Sequence, residues 1–108
     1  MDLDAIPWQT TRYEGIAVHF YQSDERSRRV LALIRMEPGC GYPPHKHRQE
    51  EEVLVLSGGY RDELGEYVRG QVVRYEAGTE HGPTATGEPG AEPCVLLALA
   101  HEGIKLLR

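Results

Sequence analysis

The sequence predicts an all-β protein made of short strands and arranged as a single small barrel or sandwich. Its 108 residues include 12 glycines and 7 prolines, which interrupt the chain every few residues. The apolar residues between these breaks fall in short runs rich in β-branched side chains, and helical spacing of apolar residues is scarce. About seven such runs separated by turns are typical of a barrel or a sandwich.

Each predicted strand is bounded by turn signals. In chain order the strands cover residues 13–21, 28–36, 51–56, 67–75, 79–83, 94–100 and 104–107. Because glycine and proline break apolar runs, turns are expected at residues 37–39, 57–59, 64–66 and 77–78. The stretch 82–93, rich in glycine, proline, threonine and alanine, is expected to be a connecting loop, with a lid or rim over a pocket as the alternative.

Length and charge favour one acidic domain. A chain of 108 residues is large enough for one core and too small for a second, so residues 1–108 are expected to form a single domain. The net charge of −5 disfavours contact with phosphate backbones and anionic lipid. The basic cluster at residues 26–29 follows Asp24 and Glu25 and is interpreted as a solvated hairpin turn. Neither nucleic acid nor a membrane is an expected partner.

The N-terminus and the cysteines bear on the compartment. Residues 1–4 are acidic, unlike a secretory signal, and no apolar run approaches the roughly 20 residues that span a bilayer. We therefore expect a cytoplasmic protein in which Cys40 and Cys94, far apart in sequence, are free thiols. Cys94 opens an apolar strand and is assigned to the core. Cys40 is either inert or a reactive thiol or soft metal ligand at a pocket mouth.

The segment 39–51 carries the strongest functional signal. His45 and His47 are separated by one residue, so in an extended strand both imidazoles point to the same face. Glu51 has the same parity if the strand continues, and His81 would come from a strand that folds back across the sheet. Such a set of nitrogen and oxygen ligands suits a first-row divalent metal. We predict a metal site formed by His45, His47, Glu51 and His81; the alternative is a surface loop followed by a solvated acidic run.

Other polar residues near the motif are assigned no role in the site. Glu50 and Glu52 compete with Glu51 as ligands, but strand parity directs them away from the histidine pair. His19 lacks ligand spacing and is interpreted as an ordinary polar contact. Three more residues could line a pocket, although side chains of this type near strand ends more often lie at a rim: Arg35, Tyr42 and Tyr60.

Two runs, 53–56 and 95–100, are apolar on both faces. A sheet with one wet face should alternate, so something must also cover its second face. A homodimer that buries the outer face of one sheet is the hypothesis. The alternative cover is the N-terminal segment around Ile6 and Trp8.

Two sequence motifs resemble those of the cupin superfamily. The series Gly39-x5-His45-x-His47-x3-Glu51-x6-Gly58 matches the spacing of the first cupin motif. The segment 70–85 is similar to the second motif, Gly-x5-Pro-x-Gly-x2-His-x3-Asn, except that Glu76 replaces the proline and Ala85 the asparagine. Neither departure falls on a metal ligand. The resemblance implies a small jelly-roll-like β-barrel, the double-stranded β-helix of cupins.

Within the cupins, segments 34–39 and 51–70 are similar to the cupin domain of ChrR-type anti-sigma factors. Those regulators carry a separate helical sigma-binding domain before the cupin, and this chain has no room for one before its first strand. Direct anti-sigma activity is therefore not expected. The same type of cupin also resembles stand-alone dioxygenases that cleave small β-dicarbonyl compounds or hydroxylated aromatic ketones, with iron held mainly by histidines.

The predicted ligands favour one divalent transition metal, with Fe, Zn, Mn, Ni and Cu preferred over Ca or Mg. Four protein ligands complete a tetrahedral zinc shell, whereas an octahedral metal keeps positions open for a substrate. The first functional hypothesis is a metal-dependent dioxygenase acting on a small oxygen-containing molecule. The alternatives are a metal-bound sensor or regulatory binding domain, and a purely structural metal that pins two strands together.

Overall fold

The computed structural model describes residues 2–24, 29–101 and 104–106. Leu3–Ala5 form a 3-10 turn. The strands are β1 (Gln9–Thr10), β2 (Ile16–Asp24), β3 (Arg29–Met36), β4 (His45–His47), β5 (Glu51–Ser57), β6 (Gly59–Asp62), β7 (Gly65–Val68), β8 (Val72–Tyr75), β9 (Glu80–His81), β10 (Thr84–Ala85), β11 (Cys94–His101) and β12 (Ile104–Leu106). Within these ranges there is no α-helix, and no helix is long and apolar enough to cross a membrane. The all-β prediction is confirmed.

Hydrogen bonds group the strands into three sheets. The largest has the order β1-β2-β3-β11-β5-β8, and all its neighbours are antiparallel. Two three-stranded sheets, β10-β6-β7 and β12-β4-β9, contribute side chains to the other side of an internal cavity. Strand β11 lies between β3 and β5 and therefore joins the two halves of the large sheet.

Alternation along β5 and β11 builds the core. Val53 and Val55 are buried, whereas the leucines that follow each of them are only half-buried. Leu96 pairs with Val55 and Ala98 with Val53, so these four side chains share the inner face of the sheet. Branched side chains on one face of a pleated sheet pack well against their cross-strand neighbours. The inner face is therefore apolar, and three of these side chains, Val53, Leu96 and Ala98, also line the internal cavity.

The outer face of the large sheet is partly covered within the chain itself. Leu33 and Val95 are 0% and 1% exposed. Leu33 pairs with Leu97, one residue away from the inward-facing Ala98, so it points away from the cavity. Leu97 itself is half-buried. The expected double-sided cover is thus present in part, and the homodimer remains a prediction.

Strand bounds differ from the prediction where turn residues interrupt or conceal a strand. The predicted strand 67–75 is two strands, β7 and β8, because the chain turns at Gly70, whose φ is +91°. Such a positive φ favours glycine. The predicted strand 13–21 begins only at Ile16, after a turn in which the Ile16 amide donates to the Tyr13 carbonyl.

Some short strands lie where turns or loops were expected. Strands β1, β6 and β10 were not predicted. Strand β10 lies in the stretch 82–93, where Ala85 pairs with Tyr60 of β6 and is 3% exposed, so this part of the stretch belongs to a sheet. The basic cluster at residues 26–29, which was interpreted as a hairpin turn, lies outside the described residues except for Arg29. Strands β2 and β3 on either side of it pair with each other, and Asp24 stands opposite Arg29.

Candidate metal centre

Strand geometry brings three histidines together. His45 and His47 alternate with the exposed Lys46 in β4, and they are 5% and 1% exposed. Strand β9 pairs with β4 so that His81, 4% exposed, stands directly opposite His45. Residues directly opposite in an antiparallel pair project to the same face. The predicted convergence of the three imidazoles is therefore present.

The three rings form a compact cluster. Ring centroids are 4.5 Å apart for His45 and His81, 4.8 Å for His47 and His81, and 5.0 Å for His45 and His47. One potential ligand atom from each residue lies within 4.8 Å of the other two. Buried histidines at this spacing could hold one metal ion. We call this set the histidine cluster.

Hydrogen bonds orient two of these rings. The Nδ1 of His45 lies 2.9 Å from the Pro43 carbonyl oxygen, which can only accept, so this nitrogen carries the proton and Nε2 has a free lone pair. The same argument applies to His81, whose Nδ1 lies 2.8 Å from Oδ2 of Asp62.

The remaining ring nitrogens fit a metal. The Nε2 of His81 is buried without a hydrogen-bond partner. The Nδ1 of His47 is also unpartnered, but it lies on the ring edge opposite Nε2, the His47 nitrogen that is close to His45 and Glu51. The Nε2 atoms of His45 and His47 lie 3.2 Å apart. Burial lowers the pKa of His45 below its usual value and that of His47 to about 4, so both imidazoles are neutral near neutral pH, the form that binds metals. The donor set therefore fits a divalent transition metal.

Glu51 flanks the cluster beside His47. Its Oε1 lies 3.4 Å from His47 Nε2, and its side chain is 13% exposed. Burial raises its pKa to about 7. A cation at the cluster would favour the carboxylate and oppose that effect.

The local chain path to Glu51 differs from the prediction. The chain bends at residues 48–50, so β4 and β5 are separate strands in different sheets and no single strand carries the whole motif. Glu50 instead forms an ion pair with the exposed Arg74, and Glu52 is exposed. Both glutamates thus point away from the cluster, as expected.

Asp62 is part of the site and was missed in the sequence. Its side chain is 0% exposed, and Oδ2 contacts both His81 Nδ1 and the Tyr75 hydroxyl, at 2.8 and 2.6 Å. Tyr75 in turn lies 2.7 Å from the Tyr60 hydroxyl. Although burial raises it, these hydrogen bonds from Tyr75 and His81 hold the pKa of Asp62 below its usual range. No motif spacing signals Asp62; in the sequence it is one of two adjacent acidic residues, with Glu63, before a tight turn.

A cavity of about 290 Å³ opens beside the cluster. One side of the cavity is formed by apolar side chains of the large sheet, including Val53, Leu96 and Ala98. The lining residues with polar groups are His45, His81, Glu51, Tyr42, Tyr60 and Tyr75. The hydroxyls of Tyr60 and Tyr75 are hydrogen-bonded to each other. The cavity is therefore apolar apart from the region around the histidines and tyrosines.

Three other residues considered from the sequence, Arg35, Cys40 and Cys94, lie outside the histidine cluster. Arg35 does not line the cavity; it forms an ion pair with Glu37 at 3.2 Å. Cys40 is half-buried against Gly15, where an added Cβ would lie 2.3 Å from its sulfur, and it is not in the cluster. Cys94 is 0% exposed in the core, as expected.

The sequence matches the ChrR cupin-like domain family over residues 1–99. The chain belongs to the ChrR cupin-like family. This confirms both the resemblance and the predicted cupin fold. A search of curated proteins finds no significant match.

Solved structures place this ChrR cupin-like chain among cupins of several kinds. A chain in the complex of Rhodobacter sphaeroides SigE with the anti-sigma ChrR is 26% identical, with a TM-score of 0.78 over 91% of this chain. The match spans only 50% of that longer chain.

Two further structures share the fold at lower identity. An RmlC-like cupin from Ralstonia eutropha JMP134 is 20% identical with a TM-score of 0.84, covering 99% of this chain and 70% of its own. An acetylacetone dioxygenase from Acinetobacter johnsonii is 12% identical with a TM-score of 0.78, covering 87% of this chain and 64% of its own. At these identities the likeness concerns the fold alone.

Proposed function

We propose that this chain is a metal-dependent cupin enzyme of the dioxygenase type. One observation carries the proposal: an apolar cavity adjoins a buried cluster of three histidines. A purely structural metal would need no such cavity. Small-molecule sites are concave and mostly apolar, with a few polar groups that fix the ligand's orientation. The two features together favour a small ligand that meets the metal inside the barrel.

The ligands in this proposal are His45, His47 and His81, with Glu51 as the fourth. Fe, Zn, Mn or Ni fit this set of nitrogen and oxygen donors. When bound, such a metal supplies Lewis acidity or electrons to an oxygen atom of the ligand. The protein residues hold the metal, and the apolar wall excludes water from the reacting group.

The substrate is proposed to be a small oxygen-containing molecule such as a dicarbonyl compound or a hydroxylated aromatic ketone. Its body must match a mostly apolar wall, since Glu51 and Tyr75 carry the polar groups that the large sheet contributes to the cavity lining. The hydroxyls of Tyr60 and Tyr75 are engaged with each other and with Asp62. Recognition of polar atoms should therefore be concentrated at the metal, and sugars should bind poorly.

Oxygen uptake tests the enzyme. The protein, loaded anaerobically with Fe²⁺, is given in turn a short β-diketone, a hydroxylated aromatic ketone and a sugar as control. Uptake with a carbonyl compound, absent for the sugar and for metal-free protein, supports the proposal. Metal binding without uptake for any carbonyl compound contradicts it.

The second candidate is a ChrR-like sensor or regulatory binding domain without catalysis. The 26% identity to a chain of the SigE–ChrR complex favours it. In this case the metal-loaded protein should respond to an oxidant by changing its metal content or stability, with no turnover. Neither response would be expected of an inert structural site.

A homodimer is also proposed, formed by the apolar outer face of the large sheet around Leu97 and Leu99. Both residues are half-buried in the single chain. Burying them further would gain free energy at roughly 25 cal/mol per Å² of apolar area. Light scattering at micromolar concentration should give twice the mass of one single-domain chain; a monomer would remove the dimer from the account.

A further inference from the structure

A chain of hydrogen bonds ends on the ring of His81. Because Oδ2 of Asp62 accepts from Tyr75, the single hydroxyl proton of Tyr75 is used there. Tyr60 must then be the donor in its 2.7 Å contact with Tyr75. Every donor points toward Asp62: Tyr60 donates to Tyr75, Tyr75 to Asp62, and His81 Nδ1 to Asp62. The two tyrosines are each 1% exposed, so water does not compete for this chain.

The second carboxylate oxygen fixes Asp62 from the other side. Its Oδ1 accepts hydrogen bonds from the backbone amides of Leu64, at 2.9 Å, and Gly65, at 3.1 Å. These bonds form the tight turn between β6 and β7. The carboxylate is thus held at both oxygens and has little freedom to rotate. A group held this rigidly can orient the ring that it contacts.

We propose that Asp62 is the positioning residue of the metal centre, which keeps the proton of His81 on Nδ1 and directs the Nε2 lone pair into the histidine cluster. Tyr75 supports Asp62 in this role. The consequence for metal binding rests on the proposed metal site, whereas the effect on the His81 ring does not. Metal-binding histidines commonly donate their other nitrogen to such a carboxylate.

The variant Asp62→Asn separates positioning from turn formation. With its carbonyl oxygen at Oδ1, asparagine keeps the turn but presents an NH₂ group to His81 and Tyr75. A ring nitrogen that faces a donor must accept, so the His81 proton moves to Nε2. The Nε2 lone pair that faced the cluster is then no longer available to a metal. If the amide flips instead, its NH₂ faces the Leu64 and Gly65 amides and the turn loses both bonds.

The first test needs no metal. Long-range proton–nitrogen NMR of the metal-free protein, near pH 8, reports which ring nitrogen of His81 carries the proton. We expect the Nδ1–H form in the wild type and in Tyr75→Phe, and the Nε2–H form in Asp62→Asn. The control Glu63→Gln removes the neighbouring exposed charge and keeps an oxygen for the Gly82 amide; its tautomer should not change. An Nε2–H tautomer in the wild type, or no change in Asp62→Asn, overturns the proposal.

The second test measures metal affinity by competition with a chelator, using Zn²⁺ and Co²⁺ as probes. Asp62→Asn should weaken both metals by about 10–100-fold and alter the visible spectrum of bound Co²⁺. Tyr75→Phe should have a smaller effect and Glu63→Gln almost none. Equal loss of metal affinity in Asp62→Asn and Glu63→Gln would overturn the positioning role, because it would show that Asp62 acts only through its negative charge. If the wild type binds no metal, the proposed function fails, while the tautomer test still decides the positioning.

Discussion

The wall of the cavity formed by β3, β5 and β11 is apolar apart from Glu51, whereas the polar wall, formed by β4, β6 and β9 together with β8 at the edge of the large sheet, carries the histidine cluster and its hydrogen-bonded tyrosines. The first wall arises from simple alternation along strands, as at Val53 and Ala98. The second depends on contacts between residues that are distant in sequence, as at Asp62 and His81. Substitutions on the apolar wall should therefore change volume and stability, and those on the polar wall should change metal binding.

The largest effect is expected at the polar wall, from His81→Ala. Removing one of three convergent imidazoles should lower metal affinity by more than the ~10–100-fold typical of a residue that only supports a ligand. Chelator competition measures this. The control His19→Ala removes a histidine whose ring contacts Tyr21 and which does not line the cavity; it should retain full affinity. Full occupancy in His81→Ala would exclude His81 from the metal shell.

The next effect separates three adjacent carboxylates. Glu51→Ala should weaken metal binding about tenfold or more, because its carboxylate lies beside His47, whereas Glu50→Ala and Glu52→Ala should leave it nearly unchanged. Each variant removes one carboxyl group from the same stretch of chain, so a general loss of acidic side chains is controlled. An equal loss in all three would remove Glu51 from the predicted ligand set.

The apolar wall can be tested by filling it. Ala98→Leu adds bulk inside the cavity and should abolish binding of a carbonyl ligand while leaving metal content unchanged. Overpacking should cost at most about 1–3 kcal/mol of unfolding free energy, since the cavity offers room for the side chain. The control Ala77→Leu makes the same change at an exposed turn. Loss of metal in Ala98→Leu would show that the two walls are not independent.

The smallest effect concerns pH and the core beside the apolar wall. Burial raises the pKa of Cys94 to about 12 from a reference value of 9.0. Its raised pKa contributes stability that is present below about pH 9 and is lost as pH rises toward 12, because the unfolded chain ionises first. Between about pH 8 and 10 the wild type should lose roughly 1 kcal/mol more unfolding free energy than Cys94→Ala. The unfolding free energy is measured in urea at each pH. An equal fall with pH in the two proteins would contradict the burial of a neutral thiol.

The contrast between the walls also explains how far the sequence could be interpreted. The apolar runs of β3, β5 and β11 were predicted nearly to the residue, since alternation is a local signal. Strand parity also predicted that His45 and His47 share a face, and His81 was expected from a strand that folds back. Strand β6 was missed because Gly59–Asp62 has turn-like composition, and its identity as a strand depends on pairing with β7 and β10.

Asp62 shows the limit of motif spacing. Its partners Tyr75 and His81 lie 13 and 19 residues away in sequence, and no fixed spacing connects the three. Only the folded register of β6, β8 and β9 brings them into contact. Motif spacing likewise does not predict the bend at residues 48–50. This bend separates β4 from β5, yet Glu51 still lies beside His47.

The central claim, that the histidine cluster is a metal centre, is tested most directly by elemental analysis of the untagged protein purified anaerobically from its own host. Foreign expression can load zinc in place of iron, because intrinsic affinities differ between metals. We predict close to one divalent transition metal per chain, lost in a His45→Ala and His81→Ala double variant. Fe, Mn or Ni would favour the enzyme, and zinc the sensor. Wild-type protein without metal, or a double variant that keeps its metal, would contradict the account.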